Sequence, residues 1–419
     1  MAISASAVWR VRPSGSNTNG GGYDSTISGA GTDYSQQNAA QATGTHGTAS
    51  GSTSFTDTTA NAFTSAMVGN ALQISSGSGI TAGTYFVTAF SSSSQVTLDR
   101  SPGTGTVAVW HLGGAWADPQ TNLASTNYVA SGNIIYVLGS GIPTTSSYGT
   151  PDYTLTTFLT PVAGLYLWGD PATPSYSTGG MPLISAAGLA FYVSTALNLQ
   201  NLWTFASSAS NGSLGIFNGT GTAYNCVFDQ NGYDVATTFQ HNMFGCEVFS
   251  SVAKRSTNAN PAWTSGQYSH LVKGCNFHDC IGTAIATSAM EQITDNIIAK
   301  NGGDGISLSN GGTAGWMQSI SGNTIDGNAG NGIVMANANS LPNTTILNNL
   351  ITNHTTAGKY GISAPFSTVA ANDRLKTFID YNVFYNNTAN YSGISAGAHD
   401  TPASSNPYVA QSTENYSLA

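Results

Sequence analysis

Charge is what this sequence has least of. Lys and Arg number 10 and Asp and Glu 19 in 419 residues, 7% of the chain, against about 25% in ordinary soluble proteins. No basic stripe exists, and Lys254-Arg255 is the only adjacent basic pair. Nucleic-acid binding, which needs clustered cations to neutralise phosphates, is thereby excluded. No apolar run approaches the roughly 18–20 residues of a membrane-spanning helix, so no membrane partner is expected. The opening "MAISASAVWRVRPSG" lacks the basic and apolar regions of a secretory signal. The expectation is a protein that stays in the cytoplasm or leaves by another route. Four cysteines, at 226, 246, 275 and 280, fit neither a disulfide framework nor paired zinc ligands. No cofactor and no metal are expected. Strong helix formers are scarce.

What is abundant is glycine, 49 residues, with Ser, Thr and Asn, in a chain still 40% hydrophobic. A disordered chain lacks that apolar content; this one is all-β with many turns. From the middle of the chain a short pattern recurs: "CVFDQN" (226–231), "CEVFSS" (246–251), "CNFHDC" (275–280), "NIIAKN" (296–301), "NTIDGN" (323–328), "NLITNH" (349–354) and "NVFYNN" (382–387). Each begins with Cys or Asn, has an apolar residue two later, and usually ends in a small or amide side chain. Several continue to a glycine and an aliphatic, at Gly305-Ile306, Gly332-Ile333, Gly361-Ile362 and Gly393-Ile394. The starts lie 20, 29, 21, 27, 26 and 33 residues apart.

Units of this length with very short strands are coils of a solenoid. One coil cannot bury its apolar face alone. Stacked at about 4.8 Å, each coil covers the aliphatics of the next and pairs its backbone. Asn repeated at one corner forms a side-chain amide ladder, while Gly and Asn supply the positive φ that corners require. The pattern resembles the right-handed parallel β-helix of the pectate-lyase-like superfamily, which also forms the shafts of bacteriophage tailspikes. The resemblance spans roughly residues 120–405. It places Cys226, Cys246 and Cys275 at the ladder position later taken by Asn296, Asn323, Asn349 and Asn382, and aligns Cys280 with Asn301 and Asn328, making the cysteines buried structural thiols.

Four regions are expected. Residues 1–56 form an extended, Gly/Ser-rich attachment segment that needs a surface, its own or a partner's. Residues 57–117 form a small antiparallel β module, with alternation at Leu72/Ile74, Tyr85/Val87 and Val96/Leu98. Residues 118–405 form the β-helix, closed at its start by a capping helix from Asp118-Pro119. Residues 406–419 are a tail.

For chemistry, the resemblance implies polysaccharide cleavage. A lyase needs carboxylates for Ca²⁺ and a cationic base; a hydrolase needs paired carboxylates. Glu247, Asp279, Asp295, Asp304 and Asp326 stand at different offsets from their ladder residues, which predicts different faces and no shared cluster. "HLVKGCNFHD" (270–279) is the densest polar stretch, with His270, Lys273, His278 and Asp279; His241, His354 and His399 stand isolated. The primary expectation is therefore a phage virion structural protein: a capsid decoration, head fibre or tailspike. It would be a homo-oligomer, favoured as a trimer, joined to other virion proteins through its N-terminal region. Host polysaccharide would bind on exposed rings such as Tyr360, Tyr381, Tyr385 and Tyr391. The alternative is a polysaccharide lyase or glycoside hydrolase in which Glu247, Lys254, Arg255, His278, Asp279 and Asp304 converge in one groove. A bacterial surface adhesin is a third reading.

Overall fold

A computed structural model of the chain describes residues 3–139, 152–155, 162, 164–169, 181–186, 191–206, 217–230, 241–250, 261–264, 270–287, 291–308, 317–335, 344–365, 377–413 and 415–418. Regular structure among them is strand, apart from 3-10 turns at Tyr34–Gln36, Ser65–Met67 and Gln411–Thr413. The chain divides into two units, residues 1–184 with 193–202, and residues 185–192 with 203–419.

The first unit contains a closed six-stranded barrel in the order Ala42–Ser50, Ser54–Thr56, Gln95–Leu98, Gly83–Ser92, Ala71–Ile80, Gly103–Leu112. Every neighbouring pair is antiparallel. The predicted alternations at Leu72/Ile74, Tyr85/Val87 and Val96/Leu98 all point into its core, around Phe55, Phe63 and Trp110. Phe63 stacks on Trp110 at 4.8 Å, and Asp57 accepts the buried indole N–H at 2.9 Å. The barrel also takes in residues 42–56. Its strand Ala42–Ser50 shows no aliphatic signal because glycine fills an inward place: a Cβ on Gly47 would stand 2.4 Å from the Phe55 ring.

Residues ahead of the barrel lie on the chain's own sheet. Val8–Val11 pairs in parallel with Ile134–Val137, which pairs with Leu165–Gly169, which pairs with residues 197–200. Trp9 is fully buried, stacks on Trp116 at 4.7 Å and donates to Asn133 Oδ1 at 3.0 Å. The capping helix expected from Asp118 does not form; residues 118–132 are turns. Asp118 does accept from the amides of Gln120 and Thr121, at 2.7 and 2.8 Å, as a helix cap would. Asn122, Ser125, Thr126 and Asn127 follow, and such side chains compete for the backbone: Ser125 Oγ takes the Asn127 amide at 3.2 Å.

The second unit is the solenoid, with three parallel sheets. The first holds His241–Phe244, His270–Lys273, Glu291–Thr294, Gln318–Ser321, Thr344–Leu347 and Phe378–Asp380. The second holds Val227–Asp229, Glu247–Phe249, Asn276–His278, Ile297–Ala299, Thr324–Asp326, Leu350–Thr352 and Val383–Tyr385. The third holds Trp263–Thr264, Ile285–Thr287, Ile306–Leu308, Ile333–Met335, Ile362–Ser363 and Tyr391–Ser392. In the last coil Tyr391, not the expected Ile394, continues the glycine–aliphatic register.

Register explains the isolated aliphatics. Val272, Ile293, Ile320, Ile346 and Ile379 stack directly in the first sheet. Phe277, Ile298, Ile325, Ile351 and Phe384 stack in the second, and Ile285, Ile306, Ile333 and Ile362 in the third. All are buried, each contributing roughly 1.5–3 kcal/mol of transfer free energy.

Two corners repeat, each a left-handed residue followed by an inward-facing rung. At the first, Gly245, Gly274, Asp295, Gly322, Asn348 and Tyr381 have φ of 57–69°. The rung Asn323 accepts the Asn296 backbone N–H and side-chain N–H at 3.0 and 2.9 Å, and donates to Asn349 and the Ile293 carbonyl. Cys275 N donates to Asn296, and Asp400 ends the column by accepting both N–H groups of Asn382. At the second corner the rungs are Cys280, Asn301, Asn328, His354 and Asn387. His354 is thus no isolated histidine; burial lowers its pKa and keeps the ring neutral.

The four cysteines are buried thiols. Desolvation holds the Cys275 and Cys280 thiols well above the ordinary range. We expect all four to resist a maleimide in the native protein and to react after denaturation, counted by mass spectrometry.

Candidate functional site

The second sheet presents the polar constellation. Glu247 and Asn276 are register partners on adjacent coils, and His278 ends the strand that Asn276 begins. Side chains alternate along these strands, so Val248 and Phe277 face the core while Glu247, Phe249 and His278 face out. Asp279 follows at the second corner with φ 49°, which turns the chain there.

His278 joins the two acids. Its Nε2 lies 2.9 Å from Glu247 Oε1 and its Nδ1 2.9 Å from Asp279 Oδ2. Burial lowers the pKa of the ring, but the hydrogen bonds and charges of Asp279 and Glu247 outweigh it and raise the value to about 9. At neutral pH the ring is therefore an imidazolium donating from both nitrogens. Phe249 lies flat against it, centroids 5.1 Å apart and planes at 7°. The histidine side chain is 17% exposed, the two carboxylates 43% and 47%. An aromatic ring, a half-buried cation and two reachable carboxylates thus share one outer surface.

Glu247 and Asp279 do not diverge as their offsets predicted. Glu247 starts a strand and Asp279 stands just past the end of the neighbouring one, so the imidazole reaches one and turns back to the other. Asp304 stays apart: its Oδ1 accepts the backbone and side-chain N–H of Asn331 on the next coil, at 2.6 and 3.0 Å, as a third structural rung. Lys254 and Arg255 lie outside the described residues. The dense stretch 270–279 separates into three directions. His270 points into the core, 3.6 Å from Glu291 with both side chains buried; Lys273 points outward, 3.7 Å from Asp295; His278 and Asp279 belong to the next sheet. Asp326, one of the acids read as scattered, lies on the same outer face as His278. Among the described residues no group of three or more His, Cys, Asp or Glu is arranged to hold a metal ion, and no helix is long and apolar enough to cross a membrane.

The solenoid of the second unit has the fold of a right-handed parallel β-helix. Residues 212–373 match the family described as the right-handed beta helix region. Among solved structures the chain is similar to the catalytic unit of a thermostable GH87 α-1,3-glucanase from Streptomyces thermodiastaticus, with 12% identity, 80% of this chain and 85% of that chain covered, and a TM-score of 0.30. It is also similar to the catalytic domain of a GH87 α-1,3-glucanase in complex with nigerose (11%, 91% and 89%, TM-score 0.24). A third is the A-module of the Azotobacter vinelandii mannuronan C-5 epimerase AlgE6 (12%, 64% and 89%, TM-score 0.23). At that level of likeness neither activity nor site carries over. No curated protein matches the sequence.

Proposed function

We propose that the chain degrades a polysaccharide, as a glycoside hydrolase working through Glu247 and Asp279 on the outer face of the second sheet. The observation that supports it is one imidazole carrying a carboxylate on each nitrogen. Two 2.9 Å contacts across one ring limit the facing oxygens to a separation of about 8 Å, within the range of about 6.5–9.5 Å used by inverting glycosidases. At that distance one carboxyl, taking its proton from His278, protonates the leaving oxygen while the other carboxylate accepts a proton from the attacking water on the opposite side of the sugar. Exchange with solvent restores both. His278, cationic below about pH 9, holds both acids and keeps a proton one hydrogen bond from each. Phe249 offers an apolar ring beside them for a sugar face.

The test is release of reducing ends from a panel of neutral and acidic polysaccharides. Wild type is expected to cleave, and Glu247→Gln and Asp279→Asn each to lower kcat by about 100-fold or more with unchanged circular dichroism. Cleavage surviving both substitutions removes these residues from the chemistry, and a panel left intact removes hydrolysis. Products with an ultraviolet-absorbing unsaturated end would assign a lyase instead.

A second reading is a glycan-binding structural appendage of a phage particle. On it the protein is trimeric, attached through residues 1–56 and located in the virion. Tyr381 favours it, an exposed ring lying flat on His399 at 4.6 Å and so preorganised for a sugar. Peptides of this chain in purified particles, at a copy number divisible by three, would support that reading.

A further inference from the structure

The face that carries His278 continues, coil by coil, through Ala299, Asp326, Thr352 and Tyr385. These positions point away from the core, because Phe277, Ile298, Ile325, Ile351 and Phe384 beside them point in. Asp326 and Thr352 are nevertheless almost wholly inaccessible, 1% and 0% exposed.

The C-terminal hairpin covers them. Tyr408–Ala410 pairs with Asn415–Leu418 across the turn Gln411–Thr413. Gln411 Nε2 donates to both oxygens of Asp326, at 2.9 and 2.7 Å. Tyr408 places its hydroxyl 2.7 Å from Thr352 Oγ1. Thr352 and Asn353, on the neighbouring coil and outside the hairpin, donate to Asp326 Oδ1 at 2.6 and 2.7 Å. The outer side of the hairpin is bare, with Val409 58% and Leu418 70% exposed. A hairpin covered on one side only belongs to the low-stability end of a fold.

We propose that Asp326, Thr352 and Asn353 form a second saccharide subsite on this face, and that the C-terminal hairpin fills it, with Gln411 and Tyr408 standing where sugar hydroxyls bind. The proposal rests on reading the His278 face as a polysaccharide surface, and it adds both a subsite and its control. An amide NH₂ and a phenol OH are neutral donors, and the groups they satisfy are a carboxylate and a hydroxyl. When the hairpin leaves, the same atoms accept from adjacent hydroxyls of a pyranose. The ligand class is a neutral glycan: Gln411, Thr352 and Asn353, which donate to this carboxylate, are neutral, and an acidic sugar would bring like charge against Asp326. The hairpin acts as a competitor joined to its own site, so the affinity of the full chain is reduced by the fraction of molecules in which it is seated.

The experiment titrates full-length protein with neutral gluco-oligosaccharides and with oligouronates by calorimetry. Wild type is compared with Gln411→Ala/Tyr408→Phe and with the same pair plus Asp326→Asn. The double variant is expected to bind the neutral oligosaccharides about tenfold more tightly, and the third substitution to cancel that gain. Hydrogen exchange supplies a readout independent of the variants: sugar added to wild type should raise exchange in residues 406–418. Unchanged affinity in a folded double variant, with unchanged hairpin exchange, overturns the subsite while leaving the proposed hydrolysis standing. Failure of every variant to bind or cleave any saccharide overturns both.

Discussion

Asn323→Ala is expected to be among the most destabilising single substitutions in the β-helical unit, costing about 3–5 kcal/mol. The side chain is 1% exposed and works in both directions along the column. Its oxygen is the acceptor for the Asn296 amide N–H, at 3.0 Å, and for the Asn296 side chain, at 2.9 Å. Its nitrogen donates to Ile293 O, Ser321 O and Asn349 Oδ1. Alanine removes every one of these bonds and leaves a buried backbone donor with no acceptor, in a corner too tight for a replacement group. The unpaired donor costs about 1–3 kcal/mol and each further lost bond about 0.5–1.5 kcal/mol. Thr324→Ala, one residue on and facing outward, is the control, expected within about 0.5 kcal/mol of wild type. Chemical denaturation followed by circular dichroism reads both. Equal midpoints would remove the amide column from what holds the coils together.

Raising the pH from about 6 to 10 is expected to destabilise the same unit through His278. Its pKa is about 9 when folded against an ordinary value of about 6.5. A raised value means the folded state holds the proton more tightly, so the stabilisation is complete below pH 6.5 and is lost as pH climbs through 9. At about 1.4 kcal/mol per pH unit of difference, the step from about 6.5 to about 9 amounts to a loss of about 3.5 kcal/mol at most, the ring being only 17% exposed. His278→Gln should flatten the curve across that window, with lower stability at pH 6 and little difference from wild type at pH 10. Activity should fall over the same alkaline range if the imidazolium organises Glu247 and Asp279. A wild-type stability curve already flat between pH 6.5 and 9 would show that the two carboxylates do not hold the proton.

Particular residues show how far the sequence could be read. The Ile and Asn columns were legible because a stacked coil repeats one residue type at one place: Ile298, Ile325 and Ile351 occupy equivalent positions and are also register partners. The positive-φ corners were legible where Gly245, Gly274 or Gly322 fills them, and hidden where Asp279, Lys300 or Tyr381 does. His354 went unrecognised as a rung because ring and amide share a role, acceptor on one side and donor on the other, and no spelling. No helix follows Asp118-Pro119, because that pair signals only a start and the residues after it decide whether a helix forms.

The site lay further from the letters. Glu247 and Asp279 stand 32 residues apart at unrelated offsets, and their meeting depends on an imidazole reaching across adjacent strands. Covering of Asp326 by Gln411 joins residues 85 apart through a hairpin with no repeat to announce it.

From sequence alone came the all-β winding, its coil-to-coil register and the inward position of its thiols and amides. Those follow from short-range rules of burial and φ that each coil obeys for itself. Which outward side chains meet is decided by lateral spacing between coils and by where the tail lands, and only the folded chain establishes either.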